Sequence, residues 1–237
     1  MNPAEPAINR EVASSVSARG IGRICHFTRF AALDGIAAWR AVLSNALLRG
    51  VRTEFEQNDP VRYDGHEDYV SCTVQYPNVF LLTKWMEERG DDWVVLCMDP
   101  EPIAYSNSLF CPTNAATNSG ALLEPGPEGF QRMFRNDPSQ EFGDRSPAHL
   151  RNAPTDNQAE LLVRSGVKAD LIRSLVVRDS AAGERLRDSF DIGTLPVPVK
   201  LVACRAFFDR DLAYQVQWGR RPDTFHQVLA APTAEEG

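Results

Sequence analysis

With 237 residues, 43% of them hydrophobic, the chain is long enough to bury a substantial core in one medium domain, and its composition is ordinary for a soluble globular protein. Its 32 acidic and 25 basic residues leave a net charge of −7, which argues against a protein whose main task is gripping duplex nucleic acid, while leaving room for a locally basic groove. No apolar run approaches membrane-spanning length, and residues 1–19, small and polar with Glu5 and Glu11, do not read as a signal peptide, so a cytoplasmic location is expected.

The first twenty residues and the last eight look like loose termini, which leaves 21–229 as a single domain. Residues 23–28 read as a strand, with Ile24, His26 and Thr28 on one side. Residues 31–48, rich in Ala and Leu and carrying Trp39, have roughly helical spacing, with Gly50 as a stop. Residues 58–65 are turn chemistry around Pro60 and Gly65. Two apolar segments follow at 69–75 and 79–85, then a buried-looking strand at 93–98, closed by Asp99-Pro100. A short apolar piece at 109–111 is broken by Pro112. Residues 126–156 are mostly polar, with an amphipathic patch at 130–134. A loop that long in a compact domain is usually functional or disordered. The remaining expectations are one helical turn at 168–172, a strand at 175–178, a helix at 183–190 and a strand at 199–207. Short strands mixed with few helices indicate an α+β fold with a mostly antiparallel core.

The polar turn Pro154-Thr155-Asp156-Asn157 delivers Gln158 and Glu160 into the apolar run Leu161-Leu162-Val163. In a strand Gln158 and Glu160 would share one face, and Ala159, Leu161 and Val163 the other. A carboxylate at the start of a buried strand needs a reason, because an unpaired buried charge is costly. A developing positive charge on a substrate, such as an oxocarbenium ion, is one reason; a strand-edge glutamate that reaches water has the same signature. His26 with Thr28 and Arg62 with Asp64 are the other polar groups beside apolar segments, and structural networks place such groups too. Arg132, Arg135, Arg145 and Arg151 fall in one polar stretch that is either a basic groove or a solvated loop. The five cysteines, Cys25, Cys72, Cys97, Cys111 and Cys204, show no CxxC pair and no zinc spacing. That pattern fits buried free thiols in a reducing compartment and no metal. Neither a Rossmann nor a P-loop signature is present, nor a GxSxG nucleophile elbow.

Six blocks, in order, resemble the DarT family of NAD-dependent ADP-ribosyltransferases, toxins that modify bases in DNA and pair with a macrodomain antitoxin. They are Ile24-Cys25-His26-Phe27-Thr28, the segment 59–65 with Arg62, Tyr69-Val70-Ser71 leading into Tyr76-Pro77-Asn78, Trp93-Val94-Val95-Leu96, the segment 110–116, and Pro154-Thr155-Asp156 with Gln158-Ala159-Glu160. The Tyr76-Pro77-Asn78 and 110–116 blocks are more similar to the guanine-modifying branch than to the thymine-modifying one. After Thr28 the chain departs from the family's short Asn-Leu turn, so no adenosine-side contact is carried over there.

The resemblance implies an ADP-ribosyltransferase-like fold, a central, mostly antiparallel split sheet flanked by short helices. It implies NAD as co-substrate and single-stranded DNA as acceptor, because a base paired in duplex is hard to reach. By the same resemblance Arg62 and Glu160 are catalytic. His26, Phe27, Thr28, Arg62 and Asn78 bind NAD, and Arg145, Arg151 and Gln158 belong to the substrate-recognising loop. Two alternatives stand beside it: a related transferase acting on RNA or another acceptor, and a non-catalytic α+β binding module.

Overall fold

The computed structural model describes residues 6–50, 64–140, 145–222 and 227–229. Its strands are β1 (Ile24–Arg29), β2 (Ala41–Leu43), β3 (Tyr69–Val74), β4 (Trp93–Met98), β5 (Leu109–Cys111), β6 (Glu124–Pro125), β7 (Glu160–Arg164), β8 (Gly166–Lys168), β9 (Ile172–Val177), β10 (Lys200–Ala203) and β11 (Gln227–Val228). Nine of them form one sheet in the order β11-β10-β9-β4-β1-β3-β7-β5-β6, and β2 pairs with β8 apart from it. Within the sheet β9 and β10 run parallel, and the other neighbours run antiparallel. The helices are α1 (Arg10–Arg19), α2 (Leu33–Trp39), α3 (Asn45–Gly50), α4 (Val79–Arg89), α5 (Gly126–Arg132), α6 (Ser180–Ser189) and α7 (Asp211–Gln217).

The sheet is covered on both faces, and β4 shows why its sequence is apolar throughout. Val94, Leu96 and Met98 enter one core, with residues of α1, α2, α5 and α6. Trp93, Val95 and Cys97 enter the other, with residues of α4 and α7. A strand buried on both faces loses the polar half of its alternation.

The sheet is also split. β1 follows β4 along its whole length, from Ile24↔Met98 to Arg29↔Trp93. It meets β3 only at Ile24↔Val74 and Cys25↔Thr73, after which β3 continues with β7. Beyond Cys25 the two strands diverge, and the gap between them is the mouth of a cleft.

The structure departs from the sequence expectations in three places. Residues 10–19 are not a loose terminus. The Asn9 side chain accepts from Glu11 and Val12 N–H, each at 3.2 Å, and caps a helix that buries Val12 and Val16. Residues 31–48 are not one helix. Arg40, in the left-handed region at φ 53, ends α2, and 41–43 pairs instead with β8. Gly166 permits that approach, since a Cβ there would stand 2.6 Å from the Val42 carbonyl oxygen. Tertiary pairing overrides the alanine-rich helix propensity. The expected strand at 199–207 stops at Ala203 and turns at Arg205–Phe208. Residues 230–237, read as a loose tail, lie outside the described residues.

Candidate active site

The cleft opened by the split has a volume of about 540 Å³, inside the range of small-molecule sites. His26, Phe27 and Thr28 of β1 form one wall, α2 and β2 contribute a second, and Asn78 and Glu160 line the far side. His26 Nδ1 lies 2.8 Å from the Ser71 carbonyl oxygen, bridging the strands where their ladder ends. Phe27 is anchored edge-on to Trp85 and Trp93, with ring centroids 5.5 and 6.1 Å away. Thr28 is 4% exposed.

Asn78 does two things at once. Its Oδ1 accepts from Leu81 N–H at 3.1 Å, capping α4. Its Nδ2, on a side chain 2% exposed, has no hydrogen-bond partner among the described residues. Asn78 lines the cleft, and a buried amide donor that lacks an acceptor is costly.

Glu160 opens β7 opposite Cys111 of β5 and is 8% exposed. Ala115 N–H donates to its Oε1 at 3.3 Å, so the turn after β5 folds over the carboxyl. That turn is itself held: Thr113 Oγ1 donates to Asp156 Oδ2 at 2.8 Å, and Asp156 Oδ1 accepts from Gln158 N–H at 2.8 Å. Burial pushes the Cys111 thiol up to about 12 and Cys72 well above its ordinary value, with the Glu160 charge adding to both. Neither thiol is a nucleophile at neutral pH. Among the described residues no group of His, Cys, Asp and Glu gathers as metal ligands.

The structure therefore brings together His26, Phe27, Thr28, Asn78 and Glu160. Arg62 lies outside the described residues. The three loop residues do not line the cleft. Arg145 is turned into its own loop, donating to Leu150 O at 2.9 Å, Ala153 O at 3.0 Å and Thr155 Oγ1 at 3.2 Å. Burial, with Arg19 nearby, lowers its pKa to about 10. Arg151 is exposed and donates to the Ala18 carbonyl at the end of α1. Gln158 sits in the turn before β7, not on the strand, so it does not share a strand face with Glu160. Arg132 is paired with Asp137 at 2.6 Å and Arg135 with Glu128, so two of the four arginines of that polar stretch are neutralised.

The fold that holds this cleft has parallels among known proteins. The family model described as "ssDNA thymidine ADP-ribosyltransferase, DarT" matches residues 25–208. The chain belongs to the DarT family. Membership makes it a single-stranded-DNA ADP-ribosyltransferase, as the sequence blocks imply. The fold is similar to that of Thermus sp. 2.9 DarT in complex with NAD+, with a TM-score of 0.55 and 16% identity over 79% of this chain and 98% of that one. It is similar to the same protein in complex with ADP-ribosylated ssDNA, with a TM-score of 0.51 and 16% identity over 80% and 97%. Thermosipho africanus DarTG in complex with ADP-ribose matches with a TM-score of 0.56 and 12% identity, over 79% of this chain and 51% of that one. No curated protein matches the chain.

Sequence reasoning missed the support of this DarT-family site. Asp156 and Thr113 sit in two of the quoted blocks, but nothing local says that they meet. Asn157 belongs to the same support: its Oδ1 accepts from Val79 N–H at 3.1 Å and its Nδ2 donates to Pro77 O at 3.0 Å. It binds the turn before Glu160 to the turn that carries Asn78.

Proposed function

We propose that the protein moves the ADP-ribosyl group of NAD onto a base of single-stranded DNA, with the split between β1 and β3 as the NAD cleft and Glu160 as the catalytic carboxylate. The observation that carries this assignment is the position of Glu160, a buried carboxyl in the lining of a cleft that Asn78, with an unsatisfied amide donor, also lines. As the bond between the ribose C1′ and the nicotinamide nitrogen breaks, positive charge grows on the sugar. A fixed, partly dehydrated carboxylate stabilises that charge more than water would. A base nitrogen then forms the new bond to C1′ and releases its proton, which Glu160 is placed to take. His26, Thr28 and Asn78 position NAD. Arg62 contributes a permanent charge and a planar fork suited to its phosphates.

Supporting the DNA acceptor are the family's description and the likeness to a DarT with ADP-ribosylated ssDNA. The acceptor base separates two expectations. The family description names thymidine, whereas the Tyr76-Pro77-Asn78 and 110–116 blocks resemble the guanine-modifying branch. The protein acts in the cytoplasm as the toxin of a toxin–antitoxin pair, opposed by a macrodomain partner. That biology follows the family resemblance, and no helix among the described residues is long and apolar enough to cross a membrane.

Mass spectrometry of short DNA and RNA oligonucleotides, each lacking one base and incubated with protein and NAD, tests the assignment. One ADP-ribose gained on DNA, and lost when thymine or guanine is omitted, establishes the activity and names the base. A gain on RNA alone keeps the chemistry and changes the substrate. Intact NAD with no gain on either leaves a binding module.

A further inference from the structure

Helix α7 (Asp211–Gln217) lies beyond residue 208, where the family match ends. One of its faces is core, through Leu212 and Val216. The other presents two large aromatic rings to solvent, Tyr214 at 53% and Trp218 at 65% exposure. Trp218 N–H donates to the Tyr214 carbonyl at 3.0 Å, so helical register continues through Trp218. Residues at i and i+4 are neighbours on one helix face, about 6 Å apart along the axis. A single exposed aromatic needs no explanation. A pair at helical spacing beside a substrate loop has one.

That loop is bolted to the helix. Leu150 N–H donates to the Val216 carbonyl at 3.0 Å, and the Ser146 hydroxyl to the Gln217 carbonyl at 2.6 Å. A small pocket of about 20 Å³ lies between them, lined by Tyr214 and Gln217 on the helix side and by Pro154, Thr155 and Asn157 on the loop side. Thr73 forms part of its floor, and Thr73 also lines the NAD cleft. The pocket and the cleft therefore have one residue of β3 in common, on the strand that pairs with β7. Exposed Arg220 and Arg221 follow Trp218 after Gly219. Aromatic rings interleaved with arginine are the composition that holds single-stranded nucleic acid, rings against bases and guanidinium groups against the backbone.

We propose that this face of α7 is a stacking platform for the nucleotides that flank the acceptor base. Tyr214 and Trp218 each take one base, and Arg220 and Arg221 hold the phosphates between them. The proposal rests on the single-stranded-DNA reading above and adds a second contact region to it, some way from the reacting atoms. It also supplies what an acidic protein needs: grip on a strand through ring faces instead of net charge.

The test measures binding by fluorescence anisotropy of a labelled 12-nucleotide single strand, in Glu160→Gln protein so that no turnover occurs. Replacing Tyr214 and Trp218 together by serine, on a surface where folding is not at stake, should weaken binding about a hundredfold, roughly tenfold per ring. Tyr214→Phe should bind as the parent does, because the ring is kept. In the otherwise wild-type chain the double variant should lose the parent's preference for a 12-mer over a mononucleotide acceptor. Equal affinity of the double variant and its parent for the 12-mer would overturn the platform, as would a loss of binding in Tyr214→Phe. Absence of Glu160-dependent transfer to any oligonucleotide would instead sink the transferase reading, and the anisotropy would still report on α7.

Discussion

The hydroxyl of Thr113 donates to Asp156 Oδ2 across 2.8 Å, and both residues are buried, at 2% and 0% exposure. This bond joins the turn after β5 to the turn before β7, the two segments that meet at Glu160. Through it, the backbone N–H of Ala115 is carried to within 3.3 Å of the Glu160 carboxyl. Thr113→Val keeps the shape and deletes the donor. It should cost about 1–3 kcal/mol in urea unfolding, the usual penalty for leaving a buried polar group short of a partner. Transfer should slow about tenfold in kcat, with KM for NAD nearly unchanged, because the carboxyl loses its aim and the cleft keeps its walls. A parental kcat in a folded variant would mean that β7 alone positions Glu160.

Asn78 offers a way to separate capping from binding. Serine caps a helix about as well as asparagine, so Asn78→Ser should leave the unfolding midpoint close to the parent's. It removes Nδ2, the donor without a partner among the described residues, and KM for NAD should rise about tenfold. Asn78→Ala loses both functions and should cost about 1 kcal/mol of stability besides. Calorimetric NAD titrations of the two variants check the split. Parental NAD affinity in Asn78→Ser would remove the amide from the binding site.

What the sequence made legible depended on whether the signal was local. β4 and β7 were readable because a short apolar run admits few alternatives, and Ala159, Leu161 and Val163 do share one core face. The cap of α1 is equally local, with Asn9 before and Gly20 after, but the polar composition of residues 10–19 masks it. Residues 31–48 could not be read correctly from within. Their break depends on Arg40 entering the left-handed region and on β8, a strand more than a hundred residues away. The orientation of Arg145 was hidden for a related reason. Charge and position suggested an outward, DNA-facing side chain, but the loop's own carbonyls needed a multivalent donor and Arg145 provides it. The splitting of the sheet, which makes the cleft, is a property of three strands and has no signature in any one of them.

The pairing of Arg132 with Asp137 gives the loop region a pH dependence with a definite sign. Arg132 and the Ser139 hydroxyl and N–H hold the Asp137 carboxyl down from 3.8 to about 2. A depressed carboxyl stabilises the fold above its unfolded value and loses that contribution as pH falls through its folded value. Stability should therefore drop by about 2 kcal/mol between roughly pH 4 and pH 2 on account of this group. Asp137→Asn should be less stable at pH 7 and flatter across that window. Urea midpoints at a series of pH values, parent against variant, check it; parallel curves would mean the pair contributes nothing.

Glu160→Gln removes the charge and almost no volume, so the cleft should keep its shape and its affinity for NAD. Transfer to DNA should fall below detection, as should release of nicotinamide, because both need the carboxylate where positive charge grows on the sugar. Arg62→Ala should also abolish transfer, in line with the role the family resemblance gives that residue. The two losses differ in kind. Without Arg62, NAD binding itself should weaken, since a fixed charge on the phosphates acts before any bond breaks. Isothermal titration with NAD, followed by mass spectrometry of an oligonucleotide substrate, separates them. Lost NAD affinity in Glu160→Gln, with turnover retained per bound NAD, would make Glu160 a binding residue and move the catalytic carboxylate elsewhere.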